Sequence, residues 1–190
     1  MSALSRDSNI DGPRMKNIFR VYLHPSVWLT HLLTISIAWL VPPDILERYQ
    51  LLEVLANITA QVFPMVDGYG QKSAFPGVSK LYFALILVIA PIWVWRLLVD
   101  ASLAADREAF VRHLSESRLR LLLLIPFAIV QLLVGVFLLF FNPGIQFNVM
   151  PINDSRLALG VFGPVYGIVP FVLMGGVLIY LRALITRSRS

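Results

Sequence analysis

Cysteine is absent from the 190 residues, which excludes disulfides, thiol redox chemistry and thiolate metal sites but says nothing about compartment. Charge is scarce: 14% of the residues are Asp, Glu, Lys or Arg while 57% are hydrophobic, a balance far from that of a soluble domain. Catalytic signatures are missing too. The chain has no HExxH, no GxxxxGKS/T, no GxSxG, no paired carboxylates inside an apolar run and no His grouped with Asp or Glu at ligand spacing. His24 and His31 fall two turns apart on one helix, so they cannot clamp opposite faces of a haem iron. The apolar runs also lack mid-depth Asp, Glu and Lys, the relay groups of a proton-coupled carrier, and no internal repeat of the transporter kind is detectable. The expectation is a protein with no enzymatic activity, no cofactor and no metal.

What is present is dominated by long apolar runs. The chain is organised around a hairpin in which residues 81–99 and 121–141 flank an arginine-rich turn. Such a run of 19 residues, at about 1.5 Å each, reaches roughly 28 Å, close to the ~30 Å of bilayer hydrocarbon. Neither run alternates as a strand would, so both read as transmembrane helices. Arg96, Arg107, Arg112, Arg118 and Arg120 cluster at the turn. Arginine accumulates in short cytoplasmic loops, which places the turn in the cytoplasm.

Two further runs, about 21–41 and 157–181, complete a predicted all-α integral membrane protein, a four-transmembrane-helix bundle with cytoplasmic N- and C-termini. Residues 1–20 read as a flexible cytosolic tail, 21–184 as a single membrane domain and 185–190 as a basic cytosolic C-terminus. A kink is expected at Pro25. On this topology the far side holds Arg48, Lys72, Lys80 and Arg156 against Asp44, Glu47, Glu53, Asp67 and Asp154, and the other basic residues lie inside. The pI near 9.9 therefore signals orientation and affinity for anionic lipid rather than for nucleic acid.

Candidate surfaces follow from helical spacing. Outside the bilayer, residues 44–63 predict an amphipathic helix with Leu51, Leu55, Ile58 and Val62 on one face. The Gly- and Pro-rich residues 64–77 predict a loop, with Ser79 or a neighbour capping the next span. The last loop, 142–156, carries Phe147, Met150 and Ile152. Inside, Leu103, Phe110, Val111 and Leu114 recur at helical spacing beside Arg107 and Arg112. That pattern predicts a helical cytosolic extension of the second span, read either as a solvated surface helix with intrahelical ion pairs or as a stripe able to dock a partner or lie on anionic headgroups. In the fourth span Gly163, Gly167 and Gly175 share a face that allows close helix approach, within the bundle or between copies. His31, with Thr30, Thr34 and Ser36, is the intramembrane polar candidate.

The expected function is that of a non-catalytic inner-membrane subunit. It would bind lipid and another protein, or a second copy of itself, as sensor or scaffold of a bacterial envelope or defence complex. Two alternatives stay open: an immunity protein blocking a pore-forming toxin, on the analogy of size and layout, and an oligomeric channel or transporter component.

Overall fold

The computed structural model describes residues 25–99, 108, 111–112 and 116–188. Among the described residues the regular elements are all helices, and the β-type contact is an isolated bridge between Phe147 and Met150. We number the helices α1 (Pro25–Leu40), α2 (Ile45–Arg48), α3 (Gln50–Val62), α4 (Met65–Lys72), α5 (Pro76–Val99), α6 (Arg118–Val136) and α7 (Arg156–Ser188); α6 runs on into a π-turn, Phe137–Phe141.

Three stretches are long and apolar enough to cross a membrane: Pro76–Trp95 in α5, Leu122–Phe141 in α6 with its π-turn, and Arg156–Ile185 in α7. The protein thus has the helices of a multi-pass membrane protein. Helix α1 contributes a shorter apolar stretch, Trp28–Leu40; the expected start of the first span at residue 21, the tail before it and the chain leading into Pro25, where a kink is expected, lie outside the described residues.

Helix α7 is the hub, since α1, α5 and α6 all pack along it. Its small residues explain why. A Cβ built on Gly160 would stand 3.3 Å from the Cα of Ile35 on α1; one on Gly163 would stand 2.5 Å from the Tyr82 ring of α5; one on Gly167 would run into Ile86 of the same helix. Gly175 faces Val94 of α5 at 3.1 Å and Gly176 faces Gln131 of α6. Close approach of this kind maximises dispersion contact where lipid tails compete for every apolar side chain. The glycine face is therefore filled from inside the chain.

Three local expectations are corrected. Within the stretch 64–77 expected as a loop, Met65–Lys72 form helix α4, because Met65, Val66, Tyr69 and Gly70 all bury on one side and outweigh the turn bias of two glycines. The helix expected over 44–63 is broken at Tyr49, which is extended (φ −127°, ψ 92°), so α2 and α3 run separately. Helix α5 begins at Pro76, five residues early, because proline is pre-organised for a first turn. Ser73, not Ser79, receives the Phe75 N–H there (3.1 Å), and Ser79 donates its hydroxyl to Ser73 Oγ (2.7 Å).

The main core lies toward one end of the long helices, where Tyr69, Phe75, Val78, Tyr82, Phe83, Ile86, Leu139, Ile152 and Leu159 are buried together. A smaller cluster of Val111, Ala128, Tyr180 and Ala183 closes the arginine-turn end. We expect Gly167→Leu to destabilise the monomer by about 1–3 kcal/mol through overpacking against Ile86, measured as a fall in the thermal midpoint in detergent. Combining it with Ile86→Ala should recover part of the loss, and strictly additive effects would contradict the contact.

Candidate functional site: a cap across the helix ends

The ends of α1 and α6 and the starts of α5 and α7 meet under a cap built from residues 41–75 and the loop 142–155. Its centre is Asn142, the residue that follows the long apolar run of α6. The Asn142 Oδ1 accepts the N–H groups of Gly144 (3.1 Å) and Ile145 (2.8 Å), while its Nδ2 donates to the Tyr69 hydroxyl (2.9 Å). Tyr69 in turn donates to the Ile145 carbonyl (2.8 Å), and its ring stacks on Phe83 with centroids 4.2 Å apart. Burial pushes the Tyr69 phenol well above its ordinary pKa, so it remains a donor.

The two halves of the cap touch backbone to backbone. Gly144 adopts φ +82°, a conformation that costs glycine nothing, and any side chain there would strike the Gly68 carbonyl. Asn153 adds a second lock: its N–H donates to Gln146 Oε1 (2.7 Å), its Nδ2 to the Gly144 carbonyl (3.0 Å), and its own carbonyl accepts the Ala74 N–H (2.8 Å). The Phe147 N–H donates to the Tyr166 hydroxyl (2.9 Å). Arg156, at the start of α7, donates to the Val41 carbonyl at the end of α1 (3.0 Å) and lies over the Phe75 ring. Apart from the buried Asn153 Oδ1, which has no partner among the described residues, these loop polar groups are satisfied locally, as a cap against an apolar bundle requires.

Beside this lock, Pro43, Leu46, Glu47, Asp67, Gln71 and Lys80, with Gly70, Pro76 and Gly77, line a cleft of about 550 Å³. Asp67 and Lys80 pair across it at 2.7 Å, with the Asp67 side chain 46% exposed. Such a pair contributes at most about 1 kcal/mol. The cleft offers carboxylates, an ammonium group and an amide, and among the described residues no group of three His, Cys, Asp or Glu is placed to hold a metal.

Helix α3 shows three faces. Ala56, Thr59 and Ala60 are buried against the bundle, Gln50, Glu53, Asn57 and Gln61 form a polar face, and Leu51, Val54, Ile58 and Val62 stand exposed between them. Of the residues singled out on this helix, Leu51 is 85% exposed and Leu55 is half-buried. The aromatic ring of Phe63, just past α3, wedges between Phe140 and Phe171.

The remaining candidates fall elsewhere. His31 is half-buried on α1, its carbonyl receiving the Thr34 hydroxyl (3.0 Å), and Thr30 accepts the Trp93 indole N–H (3.1 Å), so this polar strip stitches α1 to α5. The Tyr82 hydroxyl is buried by Thr34 and Gly163, outside hydrogen-bonding geometry. Arg112 is exposed in helical backbone. Val111, expected to face a partner, is buried against Ala128, Tyr180 and Ala183, whereas Leu103, Arg107, Phe110 and Leu114 lie outside the described residues. Sequence reasoning missed Tyr69, Asn142, Asn153 and the cleft; the Asn-Pro-Gly that follows the α6 run was the available signal for Asn142.

No protein-family model, curated protein or solved structure matches the chain.

We expect Asn142→Ala to remove both halves of the lock, lowering stability by about 1–3 kcal/mol and speeding amide hydrogen exchange at residues 144–147; unchanged exchange there would refute the central role of Asn142. Tyr69 gives a pH signature. Above its ordinary value of 10.0 the unfolded chain releases the phenolic proton while the folded cap retains it, so stability falls as pH rises. Tyr69→Phe should lower stability at neutral pH yet flatten that alkaline decline.

Proposed function

We propose that the protein is a non-catalytic four-span membrane subunit, with both termini in the cytoplasm and the cap on the opposite side. Its cap recruits a partner protein, as sensor or scaffold of a bacterial envelope or defence complex. The direction of the helices supports the orientation. Helices α1 and α6 run toward the cap and α5 and α7 away from it, so Arg96, Arg118, Arg120, Arg182 and Arg187 gather at the other end, which the positive-inside rule assigns to the cytoplasm. With the cap outside, α3 lies in the membrane interface, its exposed apolar stripe among acyl chains and its polar face in water.

The observation that carries the reading is the loop 142–155. Its backbone is held by Asn142, Gln146, Asn153 and Tyr166, yet Phe147 is 63% exposed, Val149 is 79% exposed and Ile145 stands out beside them. Apolar side chains fixed in place on a rigid loop bind without a further cost of ordering, the condition for a docking surface.

Because the natural chain has no cysteine, single substitutions read topology directly. A membrane-impermeant maleimide should label Asn148→Cys in intact cells and Glu108→Cys only after permeabilisation; the reverse pattern would invert the protein. A photocrosslinking residue at Phe147 should give a discrete adduct that one at the lipid-facing Ile129 does not, and Val149→Asp should abolish that adduct while the thermal midpoint stays within experimental error. Equal adducts at both positions would remove the docking role of the loop.

A further inference from the structure

Gln131 sits halfway along the most apolar run of the protein, the 20 residues Leu122–Phe141 with mean hydropathy 2.8. At about 1.5 Å per residue, position 131 lies roughly 14 Å from either end of the run. The carboxamide rests on α7, with Oε1 3.6 Å and Nε2 3.7 Å from where a Cβ on Gly176 would stand. Among the described residues it has no hydrogen-bond partner. An amide left unpaired at that depth is costly, because lipid tails neither donate nor accept.

Its place on the helix says how the cost is met. Leu124, Ala128, Gly135 and Leu139 turn toward α7, whereas Leu123, Phe127, Val130 and Val134 are exposed. At 100° per residue Gln131 falls on the boundary between these two faces, so its amide can be reached from the exposed flank. Little of the α6 run is buried inside the chain, 17% of it, compared with 50% for α5.

We infer that this flank pairs with the same flank of a second copy, the two Gln131 carboxamides hydrogen-bonding each other across a two-fold axis normal to the membrane. Two copies inserted with the same topology set each residue at the same depth, and at the level of Gln131 the flank offers no other polar group than Gln131 itself. A carboxamide is self-complementary, each Nε2–H donating to the opposite Oε1. The glycine face of α7 cannot play this part, being covered by α1, α5 and α6. The pairing is independent of what the cap binds.

Disulfide trapping in native membranes tests the arrangement. Val134→Cys, on the Gln131 flank, should cross-link into dimers under a membrane-permeant oxidant, and Ile129→Cys, equally lipid-facing on the opposite side of α6, should not. Adding Gln131→Leu to Val134→Cys should weaken dimerisation roughly tenfold, while Gln131→Asn should retain it. Gln131→Glu should also retain dimers at neutral pH, because a carboxyl at that depth stays protonated and two protonated carboxyls pair as two carboxamides do. Equal trapping at both faces, trapping undiminished by Gln131→Leu, or trapping lost in both Gln131→Asn and Gln131→Glu would overturn the inference.

Discussion

Lipid tails solvate leucine and phenylalanine as well as a neighbouring helix does, so helices in a bilayer gain little from apolar burial alone and are held by close contact and shared polar groups. In this chain the close contact is concentrated on α7, where Gly160, Gly163, Gly167, Gly175 and Gly176 each admit a different neighbour. The position of every other long helix is defined by how near it comes to that one backbone. Pro164 and Pro170 are buried in the same helix, and the Pro170 carbonyl stands 3.1 Å from the Cβ position of Gly135 on α6. At these positions helix α7 presents backbone to its neighbours, and between them Leu159, Tyr166, Phe171 and Tyr180 fill the core with side chains.

The cap solves a different problem at the helix ends. Where the chain turns it carries amide and carbonyl groups with no helical partner, and an apolar bundle offers none. Asn142, Asn153, Tyr69 and Gln146 supply them from side chains far apart in sequence, and Arg156 covers the end of α1 from the start of α7. One network thus finishes several helices at once and leaves Ile145, Phe147 and Val149 facing outward on a held backbone.

Much of the architecture was legible because membrane spans are written in composition: runs of about twenty apolar residues leave one viable conformation. The amphipathic face of α3 was legible from its 3.6-residue period for the same local reason. What escaped was non-local. Residues 64–77 carry turn-forming glycines, and only contact with Pro143 and Gly144 shows that Gly68 is there to admit another strand of backbone to a helix. The role of Tyr69 depends on Asn142, 73 positions away, and no spacing rule connects them. Val111 looked available for a partner because its own segment does not show that Tyr180 and Ala183 cover it.

The hub is also the last of the described helices to be synthesised. Until α7 leaves the ribosome, α1 and α6 lack most of their interhelical contacts, and α5 has those to the cap helices α2, α3 and α4 and a few to α1. The nascent chain must therefore wait in the membrane as loosely associated helices, with Tyr82, Ile86 and Gln131 facing lipid or each other, before the fold closes in one final step. A ribosome that stalls within residues 156–188 leaves behind an open set of helices, a natural substrate for membrane quality control, rather than a slightly shortened protein.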